Sequence, residues 1–251
     1  MAEFESFRGY DRFSSTVMRK TRYCFGPKCL EFVNQVIESS ASRKRTIVEG
    51  ETFWRAQSGG DDKVTIEDGI ELTLLGCSPF SAERMAPLTH CATEGRVNSK
   101  GIPCLYCATE RETAMAEMRP WTGSLISVAQ LQVVRDLDVV DCTLDSDWLY
   151  NPSWIENEPD QQSREKHIWW NINEAFSRPV DRNSDNVAGY APTQILSEAF
   201  RKAGYAGVRY RSHLGRGVNV AFFDLSVARF NPSELHKVDR VDYAFSGPVV
   251  Y

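Results

Sequence analysis

Apolar and polar positions along the chain recur in two periods, and the elements they predict alternate between strands and helices. Leu30, Val33, Val36 and Ile37 fall on one helical face, which predicts an amphipathic helix near the N-terminus. The polar stretch from Ser39 to Arg45 reads as a linker, with Arg43 to Arg45 a solvated basic run. Glu51 to Ala56 follows Gly50, is rich in aromatic residues and reads as a strand. Residues 57–95 carry Gly59, Gly60, Gly69, Gly76, Pro79 and Pro87 and read as loop. A strand is expected from Ile102 to Ala108, and a helix directly after it. Thr109 and Glu112 have capping-box spacing, Ala114 to Met118 are good helix formers, and Pro120 stops the run. Strands are expected at Leu125 to Val134 and around Leu137 to Val140. Between residues 145 and 190 the pattern is mixed, with a helical aromatic segment near Arg164 to Phe176. A helix from Thr193 to Ala203 has Pro192 in its first turn and Gly204 at its C-terminal cap. Strands at Gly207 to Tyr210, Asn219 to Asp224 and Leu235 to Val241 complete an α+β pattern.

Composition narrows the setting. At 251 residues the chain has room for one large domain, or one with an appendage, and for a core that needs no disulfide or metal. Its 42% hydrophobic and 25% charged content is that of a globular protein, which excludes disordered and collagen-like chains. No apolar run approaches the roughly 20 residues of a membrane span. Met1 to Tyr10 contains Glu3 and Glu5 and no apolar core, unlike a secretory signal, so a cytoplasmic protein is expected. A net charge of -5 argues against general nucleic-acid binding.

The seven cysteines are odd in number, as expected for reduced thiols. Cys24 and Cys29 bracket turn residues as a zinc knuckle would, yet no second pair follows at knuckle distance. Cys104 and Cys107 stand three apart in an expected strand, so they face opposite sides and suit burial better than a shared metal. The four histidines lack metalloprotease spacing. No nucleophile elbow, phosphate-binding loop or dinucleotide fingerprint occurs.

Chemistry concentrates in short blocks. They are Phe53-Trp54-Arg55-Ala56; Gly95-Arg96-Val97-Asn98; Leu105-Tyr106-Cys107-Ala108 leading to Glu112 through Glu117; Tyr190 to Gln194; and Gly207 to Ser212 followed by Gly217-Val218-Asn219-Val220. In this order, with Tyr106 and Glu117 eleven residues apart, the chain resembles the RES domain family over about residues 50–225. The resemblance implies an ADP-ribosyltransferase-like mixed β core with flanking helices. It implies a toxin of a toxin–antitoxin pair that consumes NAD+ by phosphorolysis or hydrolysis of the nicotinamide–ribose bond. It also implies an antitoxin partner with a helix-turn-helix domain. A protein ADP-ribosyltransferase of the same fold, and a non-enzymatic RES binding module, are the alternatives. Residues 1–48 then form a partly helical extension and residues 49–251 the RES domain. The interval of 41 positions from Arg55 to Arg96 implies an insertion at about 57–90 that reshapes or lids the cleft.

Cleaving a nicotinamide–ribose bond leaves oxocarbenium character on the sugar, which a nearby carboxylate stabilises. Glu117 is the candidate for that carboxylate, and Glu112 is accounted for by capping. Arg55, in an apolar strand, suits a pyrophosphate partner or else a salt bridge. Tyr106 offers a flat face and a hydroxyl, or else a core tyrosine. Arg96, Ser212 and Asn219 are candidate substrate contacts, against the plainer roles of surface arginine, turn serine and strand-initiating asparagine. Nicotinamide leaves as a neutral base, so no general acid, metal or cofactor is expected beyond NAD+ as substrate and inorganic phosphate as a possible co-substrate. The acceptor, whether water, phosphate or a protein side chain, is open.

Overall fold

The alternation of side chains along the strands builds the core first. In the computed structural model, which describes residues 3–67, 70–145, 147–148, 151–178, 188–242, 244 and 247, the strands are β1 (Lys44–Ile47), β2 (Thr52–Ser58), β3 (Asp61–Glu67), β4 (Ile70–Ser78), β5 (Leu105–Ala108), β6 (Leu125–Val133), β7 (Leu137–Asp141), β8 (Gly207–Arg211), β9 (Val218–Phe222), β10 (Ala228–Phe230) and β11 (Glu234–Lys237). The helices are α1 (Gly9–Arg19), α2 (Pro27–Ser40), α3 (Ala82–Met85), α4 (Arg111–Glu117), α5 (Gln161–Ser177) and α6 (Ala191–Lys202). Nine strands form one sheet in the order β1-β7-β8-β9-β5-β2-β6-β10, with β11 also pairing with β6. The β7–β8 pair is parallel and the other pairs are antiparallel. The expected α+β fold, a mixed β core with flanking helices, is the fold the chain adopts.

One face of the sheet carries Ile47, Phe53, Leu105, Cys107, Leu131, Leu137, Val139, Val220 and Phe222 in a single cluster. Ile47 comes from one edge strand and Leu131 from far across the sheet, so the sheet curls around this cluster. On the other face, α1, α2, α5 and α6 bury Phe13, Phe32, Val36, Trp169, Ile172, Phe176, Leu196 and Phe200 against Val140, Val208, Tyr210 and Ala221. Each such large side chain contributes roughly 1.5–3 kcal/mol by leaving water. Farther along that face, α4 lays Ala114 against Ala56, Ala108, Ile126 and Val128. A cleft lies over β2, β5 and β9 between α4 and the four-helix layer.

Several expectations are corrected. The Ser39 to Arg45 stretch is not a linker: α2 runs to Ser40, and β1 pairs with β7. Its serines tolerate burial because Ser39 Oγ and Ser40 Oγ donate to the carbonyls of Val36 and Ile37. Arg43 is not solvated either; it is buried over the Trp169 ring and ion-paired with Asp145. The boundary placed at residue 48 thus falls directly after a strand of the main sheet. Helix α1, with Tyr10, Phe13 and Val17 buried on one stripe, was not foreseen. The buried face of α2 is rotated from the expected one, since Leu30 is half exposed while Phe32, Val33 and Val36 are buried.

The loop expected at 57–95 contains the paired strands β3 and β4 and the short α3. Strand β5 starts at Leu105, later than expected, after Pro103, which has no N–H for a ladder. The Thr109–Glu112 capping box does not form. Thr109 instead extends the β5–β9 pairing through its backbone N–H to the Val218 carbonyl, while its Oγ1 accepts from Val218 N. Helix α4 therefore starts later, with Glu110 at its cap. The last expected strand, Leu235 to Val241, is realised as the shorter β11, and β10 before it was not foreseen.

Candidate active site

Helix α4 carries Glu117 at its C-terminal end and aims the carboxylate at the strands beneath it. Oε1 accepts hydrogen bonds from Ser212 Oγ at 2.8 Å and Asn219 Nδ2 at 2.6 Å. Oε2 lies 3.7 Å from Arg96 Nη1. Ser212 and Asn219 are buried, and Glu117 keeps 18% of its side chain exposed. Ser212 Oγ also accepts from the backbone N–H groups of Leu214 and Gly215, which fixes the turn after β8. That turn sits tightly on α4. Thr113 Oγ1 accepts from Gly217 N at 2.9 Å, and a Cβ at Gly215 or Gly217 would run into Thr113. The carboxylate is thereby held by charge-assisted bonds from groups that are themselves locked.

Arg55 and Tyr106 occupy the floor of the cleft. The ladder between β2 and β5 has a single residue pair, Trp54 with Ala108. The Arg55 side chain fills the gap beside it: Nη1 donates to the Tyr106 carbonyl at 2.9 Å and Nε to the Met85 carbonyl at 2.7 Å. Burial lowers the pKa of this guanidinium to about 10, and among the described residues it has no carboxylate partner. The salt-bridge alternative for Arg55 is thus not what the structure displays. The Tyr106 hydroxyl donates to Asn98 Oδ1 at 2.6 Å and accepts from Val97 N at 3.0 Å. Burial pushes its pKa well above the usual tyrosine value. The hydroxyl is committed to the Gly95–Asn98 loop, and its ring lines the cleft.

Sequence reasoning missed the residues that pin this loop. Asn98 Nδ2 donates to the carbonyls of Thr93, Ser99 and Ile102, and Gln194 Nε2 donates to those of Gly95 and Asn98. Both stand inside the quoted blocks, yet an amide reads as polar surface until its buried partners are known. Tyr210 is a further cleft residue; burial raises its pKa, while the Arg96 charge pulls it back. Gly95 has its own reason, because a Cβ there would lie 2.5 Å from Tyr106 Oη.

The structure brings Glu117, Arg96, Ser212 and Asn219 into one bonded cluster. It places Arg55 and Tyr106 in the same cleft of about 470 Å³ but not in contact with that carboxylate. Cys24 is exposed and Cys29 half-buried; among the described residues no group of three His, Cys, Asp or Glu side chains has a metal site's arrangement. Cys104 and Cys107 are buried on opposite faces of the sheet, in separate clusters. Among the described residues no helix is long and apolar enough to cross a membrane.

The fold and cleft define a class: an α+β protein that presents a held carboxylate beside arginines in a half-open pocket. A family model described as "RES domain" matches residues 75–246. The chain belongs to the RES domain family. The match takes in Arg96, Tyr106, Glu117, Ser212 and Asn219 and begins after Arg55. A solved structure described as the M. tuberculosis MbcT–MbcA toxin–antitoxin complex is similar with a TM-score of 0.40 and 18% identity, over 80% of this chain and 92% of that one. No curated protein matches the chain.

Proposed function

We propose that the protein is an NAD+-consuming toxin that cleaves the nicotinamide–ribose bond by phosphorolysis or hydrolysis, and so depletes cellular NAD+. RES-domain toxins act on NAD+. The observation that carries the proposal is Glu117, whose carboxylate is fixed by two donors on one oxygen and opens its other oxygen toward the cleft and Arg96.

In the proposed reaction the C–N bond to nicotinamide breaks and the electron pair leaves with the neutral base. Positive charge grows on the ribose, and the Glu117 carboxylate stabilises it in a site of low dielectric. At about 4 Å and an effective dielectric constant near 20, such an attraction is on the order of 4 kcal/mol. Ser212 and Asn219 hold the carboxylate in place, so no reorganisation is needed as charge develops. Arg55, which has no carboxylate partner among the described residues, favours the anionic diphosphate, and the Tyr106 ring lines the cleft floor beside it. An acceptor, phosphate or water, then attacks the ribose. The mechanism uses no metal. In the cytoplasm such an activity is held off by a cognate antitoxin with a helix-turn-helix domain, and the chain itself contacts neither nucleic acid nor membrane.

Product analysis of NAD+ incubated with the protein, with and without phosphate, tests the proposal. Phosphorolysis gives nicotinamide and ADP-ribose 1″-phosphate; hydrolysis gives nicotinamide and ADP-ribose. Label transferred from NAD+ to a macromolecule identifies a protein ADP-ribosyltransferase instead. Intact NAD+ under all conditions identifies a binding module.

A further inference from the structure

Helix α4 ends in a conformation that its sequence does not favour. Arg119, two residues after Glu117, has φ of 49° and is the single non-glycine residue with positive φ among those described. Its N–H bonds to the Ala116 carbonyl, so it takes the left-handed position after the helix cap where glycine is preferred. Placing arginine there costs stability, and such strain persists at positions that serve a site. Arg119 also lines the cleft.

The three cleft arginines differ in what they have left to offer. Arg55 spends Nε and Nη1 on backbone carbonyls. Arg96 stands against the Glu117 carboxylate. Arg119 is exposed, and no described residue accepts from or pairs with its guanidinium. It therefore brings a full fork of N–H donors to the cleft, a geometry that matches phosphate oxygens.

We propose that Arg119 is a phosphate-binding residue of this cleft, taking either the diphosphate of the dinucleotide or the inorganic phosphate that serves as acceptor. The proposal rests on the NAD+-cleaving reading for what the phosphate does, but the binding itself is measurable without turnover. Glycine suits the left-handed backbone, so Arg119→Gly should fold and melt no lower than wild type.

Calorimetric titrations of ADP-ribose and of inorganic phosphate into wild type and Arg119→Gly test the binding. Steady-state nicotinamide release at varied NAD+ and varied phosphate provides the second arm. Arg119→Gly is expected to weaken one of the two ligands about ten-fold or more and to raise the matching half-saturation concentration. At saturation kcat should stay within about two-fold, and Arg119→Lys should recover part of the loss. Weakened ADP-ribose with unchanged phosphate assigns the dinucleotide; the reverse assigns the acceptor. Equal affinities of wild type and Arg119→Gly for both ligands would overturn the proposal, as would a wild type that binds neither. A wild type that binds ADP-ribose through Arg119 but releases no nicotinamide would overturn the NAD+-cleaving reading and leave this one standing.

Discussion

Asn219 and Ser212 both donate to the same oxygen of Glu117, at 2.6 and 2.8 Å. If they position the carboxylate and do not bind substrate, their removal should be read in kcat and hardly in KM. A hydrogen bond to a charged group is worth about 1.5–3 kcal/mol, so Asn219→Ala should lower kcat by roughly ten- to 150-fold. KM for NAD+ should stay within about three-fold. Ser212→Ala should cost a similar factor. Because both bonds fix one oxygen, the carboxylate already swings free once either is lost, and the double variant should lose less than the product of the two single losses. The assay is steady-state nicotinamide release by the four proteins, with thermal melts to show that each is folded. Losses that multiply in full, or a raised KM with kcat intact, would refute the positioning role and return both residues to substrate binding.

Other consequences follow from the same contacts. Gly95→Ala would place a Cβ 2.5 Å from Tyr106 Oη and 2.9 Å from Asn98 Oδ1. Overpacking and the loss of the Tyr106–Asn98 bond should together destabilise the fold by about 2–4 kcal/mol. A melt should display this as a fall of roughly 4–16 °C, and an unchanged melting temperature would contradict the close packing. Arg55, with its pKa lowered by burial to about 10, keeps its charge below that pH and loses it above. ADP-ribose affinity should therefore fall as pH rises through about 10. The unfolded chain, whose arginine is not desolvated, holds this proton to higher pH, so the group adds to stability as pH rises above about 10. Calorimetry from pH 8 to 10.5, with circular dichroism alongside, should reveal lost binding in a folded protein; constant affinity would remove Arg55 from ligand binding.

The parts of the fold legible in the sequence are those whose local pattern and tertiary setting agree. Helix α6 lies at Ala191–Lys202 with Pro192 in its first turn, close to the Thr193 to Ala203 expected, because its cap signals and its apolar stripe coincide. Strands β6, β7 and β9 were legible as apolar runs because both faces of each are largely buried, one of them in the curled core. Strand β8 was legible because Val208 and Tyr210 alternate with arginines and meet the helix layer. The Thr109 cap was misread because a hydroxyl suited to an N-cap found a strand partner first. The polar serines before β1 were misread because their hydroxyls return to the helix backbone, a contact that composition does not display. Strands β3 and β4 had a usable signal. Val64-Thr65-Ile66 and Leu72-Thr73-Leu74 alternate on either side of Asp68-Gly69, a hairpin dipeptide, but the surrounding glycines and prolines outweighed it.

In the candidate site, the residue types were legible and their mutual roles were not. Ser212 and Asn219 were expected to face a ligand, and in the structure they face Glu117. Gln194 holds the loop bearing Arg96 through the carbonyls of Gly95 and Asn98, far away in sequence. Asn98 holds it through the nearby carbonyls of Thr93, Ser99 and Ile102, which converge on its amide only once the loop is folded. Arg119 carries no sequence signal at all, because a backbone in the left-handed region is invisible until the helix end is built.

The central claim is that the Glu117 carboxylate stabilises charge on the ribose of NAD+. Its most direct measurement is the rate of nicotinamide release by wild type and by Glu117→Gln, which keeps the shape of the side chain and removes its charge. Wild type should release nicotinamide. Glu117→Gln, with native circular dichroism and a comparable melting temperature, should be slower by roughly a hundred-fold or more. A folded Glu117→Gln protein that releases nicotinamide at the wild-type rate would contradict the account.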